Sequence, residues 1–221
     1  NGLRVGTLTV TLERREDGDW LLKQESASRG LGSLFAASPR TESSRIRVSN
    51  GELRVLEYRS RKKGGDAEEN ARLVFDWDQG HVESLGAGSH WEVPIAPGIV
   101  DPLVMQLVLR LDLQAGRDSL AYRVPRQGRI KTYTFERTGE ESLELDTGRF
   151  RTLKVERTDD DRDRTSIWSA PEVRFLAVRI LKERDWDVDT DVVLRSVDFP
   201  SRADPDPIDT ASESPPPAGR P

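Results

Sequence analysis

Hydrophobic and polar positions alternate along most of this chain with a period of two, the pattern of strands with one face buried and one face wet. The clearest stretch runs from Arg129 to Leu181 as 129-RIKTYTFERT, 141-ESLEL, 149-RFRTLKVER, 164-RTSIWS and 173-VRFLAVRIL. The segments between them, Thr138-Gly139-Glu140, Asp146-Thr147-Gly148, Thr158 to Asp163 and Ala170-Pro171-Glu172, are short and polar. Connections of this length carry no crossover helix, so the pattern predicts five antiparallel neighbours in a meander. Upstream, 3-LRVGTLTVTLERR presents Val5, Leu8, Val10 and Leu12 and turns at Glu16-Asp17-Gly18-Asp19 into a return strand from Trp20. Residues 30–37 read as a helical turn or a loop. Asn50-Gly51, between 41-TESSRIRVS and 52-ELRVLEYRSR, predicts a tight hairpin because both residues tolerate positive φ. Then 70-NARLVFDWD alternates Leu73, Phe75 and Trp77 against Arg72, Val74 and Asp76, and a short strand follows at His81-Val82-Glu83.

One segment changes period. In 102-PLVMQLVLRLDLQ, Leu103, Val104, Leu107, Val108 and Leu111 share a stripe at helical spacing, and Met105 and Leu109 widen it. The spacing predicts a largely enclosed helix, N-capped by Asp101, opened by Pro102 at its first position and ended by Ala115-Gly116. After Val197 the chain turns to Pro, Asp and Ser, a composition that buries too little apolar surface to offset its ordering entropy. Residues 200–221 are therefore expected to be a disordered tail. Residues 1–199 are expected to be one β domain whose first strand begins upstream of Asn1. The fold class expected is mainly β: a single strongly curved antiparallel sheet, or open β-barrel, of roughly a dozen strands with the helix on its concave face.

Composition narrows the chemistry. An apolar fraction of 35% beside a charged fraction of 33% suits one-faced strands, not a doubly buried parallel sheet. The net charge of −5 argues against a nucleic-acid binder. The absence of cysteine excludes disulfides, thiol nucleophiles and thiolate metal sites. No apolar run approaches the ~20 residues that span a bilayer.

The remaining candidates are weighed residue by residue. His81 and His90 lie near Asp76, Asp78 and Glu92, but their spacing matches no ligand motif, and they read as turn and strand-end residues. Asp185, Asp187, Asp189 and Asp191 alternate in 185-DWDVDTD without the glycine and distal glutamate of a calcium loop, so a wide hairpin turn from Glu183 to Asp187 is expected. The 159-DDDRDR run reads as a charged turn that blunts a sheet edge. Arg45, Arg47, Arg59 and Arg61, with Lys62 and Lys63, cluster on one hairpin as a candidate anion patch or a solvated face. No G-x-S-x-G elbow and no phosphate-cradling glycine loop occurs. No catalytic residue, metal or cofactor is assigned. Trp20, Trp77, Trp91, Trp168 and Trp186 are core residues or the lining of an apolar cavity.

Four stretches carry a family resemblance: 42-ESSRIRVSNGELRVLEYRSRKKGG, 72-RLVFDWDQGHV, 99-IVDPLVMQLVLRLDL with 119-SLAYRV, and 149-RFRTLKVERTDDDRDRTSIWSAPEVRFLAVRI. The most specific parts are Phe75-Asp76-Trp77, the Asp101-Pro102 helix start, and Trp168-Ser169-Ala170-Pro171 leading into a strand. Together they resemble the bacterial domain-of-unknown-function family numbered 3108. That resemblance implies an exported protein of Gram-negative bacteria, periplasmic or envelope-attached, with no assigned activity. The start at Asn1 without Met fits a removed signal peptide and a trimmed start equally. In outline the architecture is similar to lipoprotein- and lipid-carrying half-barrels, an analogy at the level of fold alone. The function expected is a non-catalytic periplasmic binding or carrier protein for an apolar or amphipathic envelope molecule, a lipid or lipoprotein. Leu103, Leu107 and Leu111 would line the helix side of its cavity, and Trp77, Trp91 and Trp168 the sheet side. One alternative is a protein-interaction module of the envelope that uses a sheet edge or the basic hairpin. Another is an envelope-polymer hydrolase with carboxylates converging on His81 or His90.

Overall fold

The computed structural model describes residues 6–28, 39–62, 64, 70–86, 90–160, 162–185 and 187–199. Their alternation resolves into thirteen strands and one α-helix. The strands β1 (Gly6–Arg14), β2 (Trp20–Ser28), β3 (Arg40–Ser49), β4 (Glu52–Lys62), β5 (Ala71–Asp76), β6 (His81–Ser84) and β7 (Trp91–Pro94) form one antiparallel meander in chain order. Helix α1 (Pro102–Gln114) follows. A second meander consists of β8 (Leu120–Arg126), β9 (Arg129–Leu145), β10 (Gly148–Arg157), β11 (Asp163–Ala170), β12 (Leu176–Arg184) and β13 (Asp187–Val193). The hairpin predicted at Asn50-Gly51 forms, with φ of 52° and 77° at the two residues. Val5, Lys63, Trp186, the 30–37 segment and the tail from 200 lie outside the described residues.

The expected single sheet is two sheets, and no closed barrel forms. The break falls where β7 ends on Pro94, which has no N–H for a ladder, and where the helix separates β7 from β8. Only an isolated parallel bridge, Ile99 to Arg123, ties the two meanders at that point. They are joined instead through a shared core. Leu22, Ile46, Val55, Phe75 and Val82 of the first sheet pack in one cluster with Val124, Phe135, Val155 and Ile167 of the second and with Leu103, Val104, Leu109 and Leu113 of α1.

The second meander differs from its prediction at three turns. Thr138-Gly139-Glu140 is a β-bulge inside a continuous 17-residue strand, not a turn. Both halves of β9 pair with β10, and the register slips where Lys154 faces Gly139 and Val155 faces Arg137. Gly139, at φ 151°, supplies a bend that L side chains rarely adopt. After Pro171–Val173, a single 3₁₀ turn, Arg174 and Phe175 both sit in the left-handed region, so β12 starts at Leu176 rather than at Val173. The turn expected from Glu183 to Asp187 is tighter, because the ladder still pairs Arg184 with Asp187.

The buried face of α1 is also rotated from the predicted stripe. Leu103, Val104, Leu109, Asp112 and Leu113 are buried, while Leu111 is 44% exposed. Asp112 accounts for the rotation: its Oδ2 accepts a 2.9 Å hydrogen bond from the Tyr122 hydroxyl of β8, which draws that side of the helix inward. The helix start is as predicted. Asp101 Oδ1 accepts from the N–H groups of Leu103 (2.7 Å) and Val104 (2.8 Å), and Pro102 occupies the first turn.

Asp101 is fully buried. Its Oδ2 has no hydrogen-bond partner, and the nearby Ser44 hydroxyl completes no bond in this geometry. Burial pushes the carboxyl up to about 7; the Val104 and Leu103 N–H groups and Ser44 oppose the rise, and the Glu42 charge adds to it. Because this value lies above the ordinary 3.8, the folded state holds a proton that the unfolded state has released. The group's contribution to stability is greatest below about pH 4, falls as pH rises toward 7, and is flat above. Asp101→Asn keeps a capping oxygen and removes the titration. Urea midpoints of the wild type are expected to fall relative to the Asn variant between about pH 5 and pH 7, and parallel profiles would refute the assignment. Asp101→Ala also loses the cap and is expected to cost about 1–2 kcal/mol more than Asn.

Candidate functional site

The residues expected to line an apolar cavity are only partly brought together. Leu103, Leu107, Trp77 and Trp91 are brought together, but as packed core. Trp77 stacks on Phe75 at 6.2 Å and donates its indole N–H to the Val55 carbonyl at 2.6 Å. Trp91 lies against Gly128, where an added Cβ would stand 3.6 Å from the Trp91 Cβ. Leu111 turns outward. Trp168 is on the far face of its sheet, because adjacent strand residues alternate and its neighbour Ile167 takes the helix side. Its indole N–H donates to Glu141 at 3.0 Å, and Lys154 and Arg179 stand 5.1 Å from the ring. Two open grooves lie on the first sheet.

The basic hairpin divides into two parts. Arg45 and Arg47 are bound to Asp19, whose side chain is only 2% exposed, through contacts of 2.7 and 2.8 Å. Arg47 holds the Asp19 carboxyl below its ordinary value; burial opposes this and Arg45 adds to it. This pair therefore closes the β1–β2 turn and is not an open anion patch. Asp19, read from sequence as a turn residue, is the partner that sequence reasoning missed.

Arg59 and Arg61 have a different setting. They lie on the outer face of β4, and the ladder sets Arg59 directly opposite Arg72 of β5. Like charges in that position repel. Glu57 compensates both, with contacts of 2.9 Å to Arg59 and 2.5 Å to Arg72. Burial opposes the charged form of Glu57, but the two guanidinium groups outweigh it and keep the carboxyl below its ordinary range. Arg61 is exposed and forms no ion pair with a described residue. The three arginines line a groove of about 490 Å³ together with Asn70, Leu85 and Gly86. The wall is closed by the Leu85 N–H on the Arg72 carbonyl at 2.8 Å. It needs glycine at 86, where a Cβ would come within 2.7 Å of the Asn70 carbonyl oxygen. Arg72 and Gly86 were invisible as site residues because the β4–β5 register places them.

Two further features complete the surface. Leu8, Val10 and Leu12 share one face of β1, 37%, 54% and 43% exposed, on a strand whose outer edge pairs with no described strand. His90 stands 3.6 Å from Glu83 and 3.1 Å from the Ser84 carbonyl, and His81 sits in the β6 ladder opposite Asp76 and Pro94. Among the described residues no three His, Asp or Glu side chains gather closely enough to hold a metal ion. No helix among them is long and apolar enough to cross a membrane.

Because Asp19 is held ionised in the folded state, its contribution is present above the ordinary carboxylate value of 3.8 and is lost as pH falls below it. Asp19→Asn is expected to lower the urea midpoint at neutral pH, with the difference from wild type shrinking in the acid range. An equal midpoint at neutral pH would show that the arginine pair is not held this way.

Comparison with known proteins adds the family and nothing finer. No curated protein and no solved structure matches the chain significantly. Residues 1–193 match the family described as protein of unknown function (DUF3108), so the chain belongs to that family.

Proposed function

We propose that this chain is a non-catalytic binding module of the bacterial periplasm, and that it holds an acidic, extended segment of a protein partner in the Arg59–Arg61–Arg72 groove. The observation that carries the reading is three arginines on one groove, of which Arg59 and Arg72 share Glu57 and Arg61 forms no ion pair with a described residue. In a chain of net charge −5 this is a local reversal of sign, which favours an anionic partner over other surfaces of the molecule. Arg59 and Arg61 are two residues apart on one strand face, roughly 7 Å, the spacing of alternate side chains in an extended partner. The periplasmic setting rests on the exported character implied by the family resemblance.

A second reading, an apolar or amphipathic envelope molecule such as a lipid or lipoprotein, is favoured by Leu8, Val10 and Leu12. Leu12 lies directly opposite the buried Leu22, so this apolar face continues that of the core. Such a molecule would rest on the open end of the first sheet.

A fluorescent acidic peptide with Glu at alternate positions is expected to bind with an affinity that falls as salt rises. The double variant Arg59→Glu, Arg61→Glu is expected to weaken it about tenfold or more, since charge reversal adds repulsion to the lost contacts. Arg45→Glu, Arg47→Glu should reduce stability and leave the affinity nearly intact. Undiminished binding by the Arg59/Arg61 variant would refute the groove. Native mass spectrometry of protein from its own periplasm, showing a lipid lost on substituting Leu8, Val10 and Leu12 by Ser, would favour the second reading instead.

A further inference from the structure

Arg110 of α1 is the one arginine among those with a resolved shift whose charge is disfavoured: burial lowers its pKa first, and the positive charge of Arg174 adds to it. Arg47, Arg157, Arg179 and Arg184 are all raised, each by a carboxylate partner. Neither Arg110 nor Arg174 forms an ion pair with a described residue; their contacts are with each other and with one aromatic ring. Arg110 Nε donates to the Arg174 backbone carbonyl at 2.8 Å, which leaves the outer fork of the guanidinium for another acceptor. Both guanidinium groups stand over the Phe199 ring, at 5.9 Å for Arg110 and 4.3 Å for Arg174.

The backbone holds this arrangement against its own preference. Arg174 and Phe175 are consecutive non-glycine residues in the left-handed region, at φ 55° and 58°. Two such residues in succession are strained, and strain of this kind is kept where a geometry is needed. The turn is fixed by the Arg174 N–H on the Pro171 carbonyl (3.0 Å) and the Phe175 N–H on the Ala170 carbonyl (2.8 Å). Beside Arg110, Leu107 and Leu111 lie on the less buried side of α1, so apolar surface adjoins the charge.

We infer that Arg110 and Arg174, seated on Phe199, form a binding site for an oxyanion, a phosphate or a carboxylate, on elements separate from those of the β4–β5 groove. Two guanidinium groups with no carboxylate partner among the described residues are the chemistry that recognises such a group, by charge and by paired N–H donors. Adjoining Leu107 and Leu111, the site accommodates a free anion or the head of an amphipathic molecule.

The full chain is titrated with inorganic phosphate, followed by the arginine Nε–H resonances and by calorimetry, and is floated with vesicles of phosphatidylglycerol or of phosphatidylcholine alone. Saturable phosphate binding is expected, weakened about tenfold or more by Arg110→Gln and by Arg174→Gly, the loss of one charge-assisted contact. Arg59→Glu, Arg61→Glu should leave it unchanged, so failure of the groove and failure of this site are read separately. Arg174→Gly relieves the left-handed strain, and its Tm should equal or exceed that of the wild type, so lost binding in it is not lost folding. Flotation with phosphatidylglycerol alone, abolished by both variants, assigns the oxyanion to a lipid head; phosphate binding without flotation assigns a free anion. No saturable binding of either probe, or binding unaltered in both variants, overturns the site.

Discussion

Helix α1 is anchored by a fully buried carboxyl group. Asp101 satisfies two N–H groups of the first turn with one oxygen and leaves the other facing Ser44 of β3. An orphaned oxygen in a buried setting is costly, and the rise of its pKa toward neutrality expresses that cost. The rest of the architecture follows from where this end is pinned. With its start fixed against the first sheet and Asp112 drawn to Tyr122 of the second, the helix is held at both ends by polar contacts. Its apolar residues then join the core shared by the two sheets.

That packing redirects the question of function to the surface. Leu103, Val104, Leu109 and Leu113 of the helix belong to one buried cluster with residues of both sheets. What the surface offers is charge in unequal company. Asp19 absorbs Arg45 and Arg47, and Arg157 is enclosed by Asp159 and Asp160. Against that background, Arg59 and Arg72 share Glu57, while Arg61, Arg110 and Arg174 form no ion pair with a described residue. Ion pairs at the surface add little to stability. Unbalanced charge there matters more for what the surface attracts.

Local chemistry was legible in the sequence wherever a few neighbouring residues decide the outcome. Asp101-Pro102 announces a capped helix, and Asn50-Gly51 announces a hairpin, because each is settled by its own φ preferences and side-chain reach. What distant strands decide was not legible. Gly139 looks the same in a turn and in a bulge; pairing of both flanks with β10 makes it a bulge. Leu111 fitted the predicted stripe, but the bond from Asp112 to Tyr122, on the strand that follows, turned the helix away from it. Arg72 became a site residue only through the register that sets it opposite Arg59. Trp168 shared the aromatic composition of the expected lining but not its face of the sheet.

Helix α1 is a fixed part of the core and not a lid. Native-state hydrogen exchange of the α1 amides tests it most directly, set against the amides of β10 and β11. If the helix is wedged between the sheets, the hydrogen-bonded amides in its middle, Leu107 to Leu113, should exchange only through global unfolding, with the same opening free energy as the central strands. Exchange of those amides through a cheaper local opening, while both sheets stay protected, would contradict the account and restore the cavity beneath the helix.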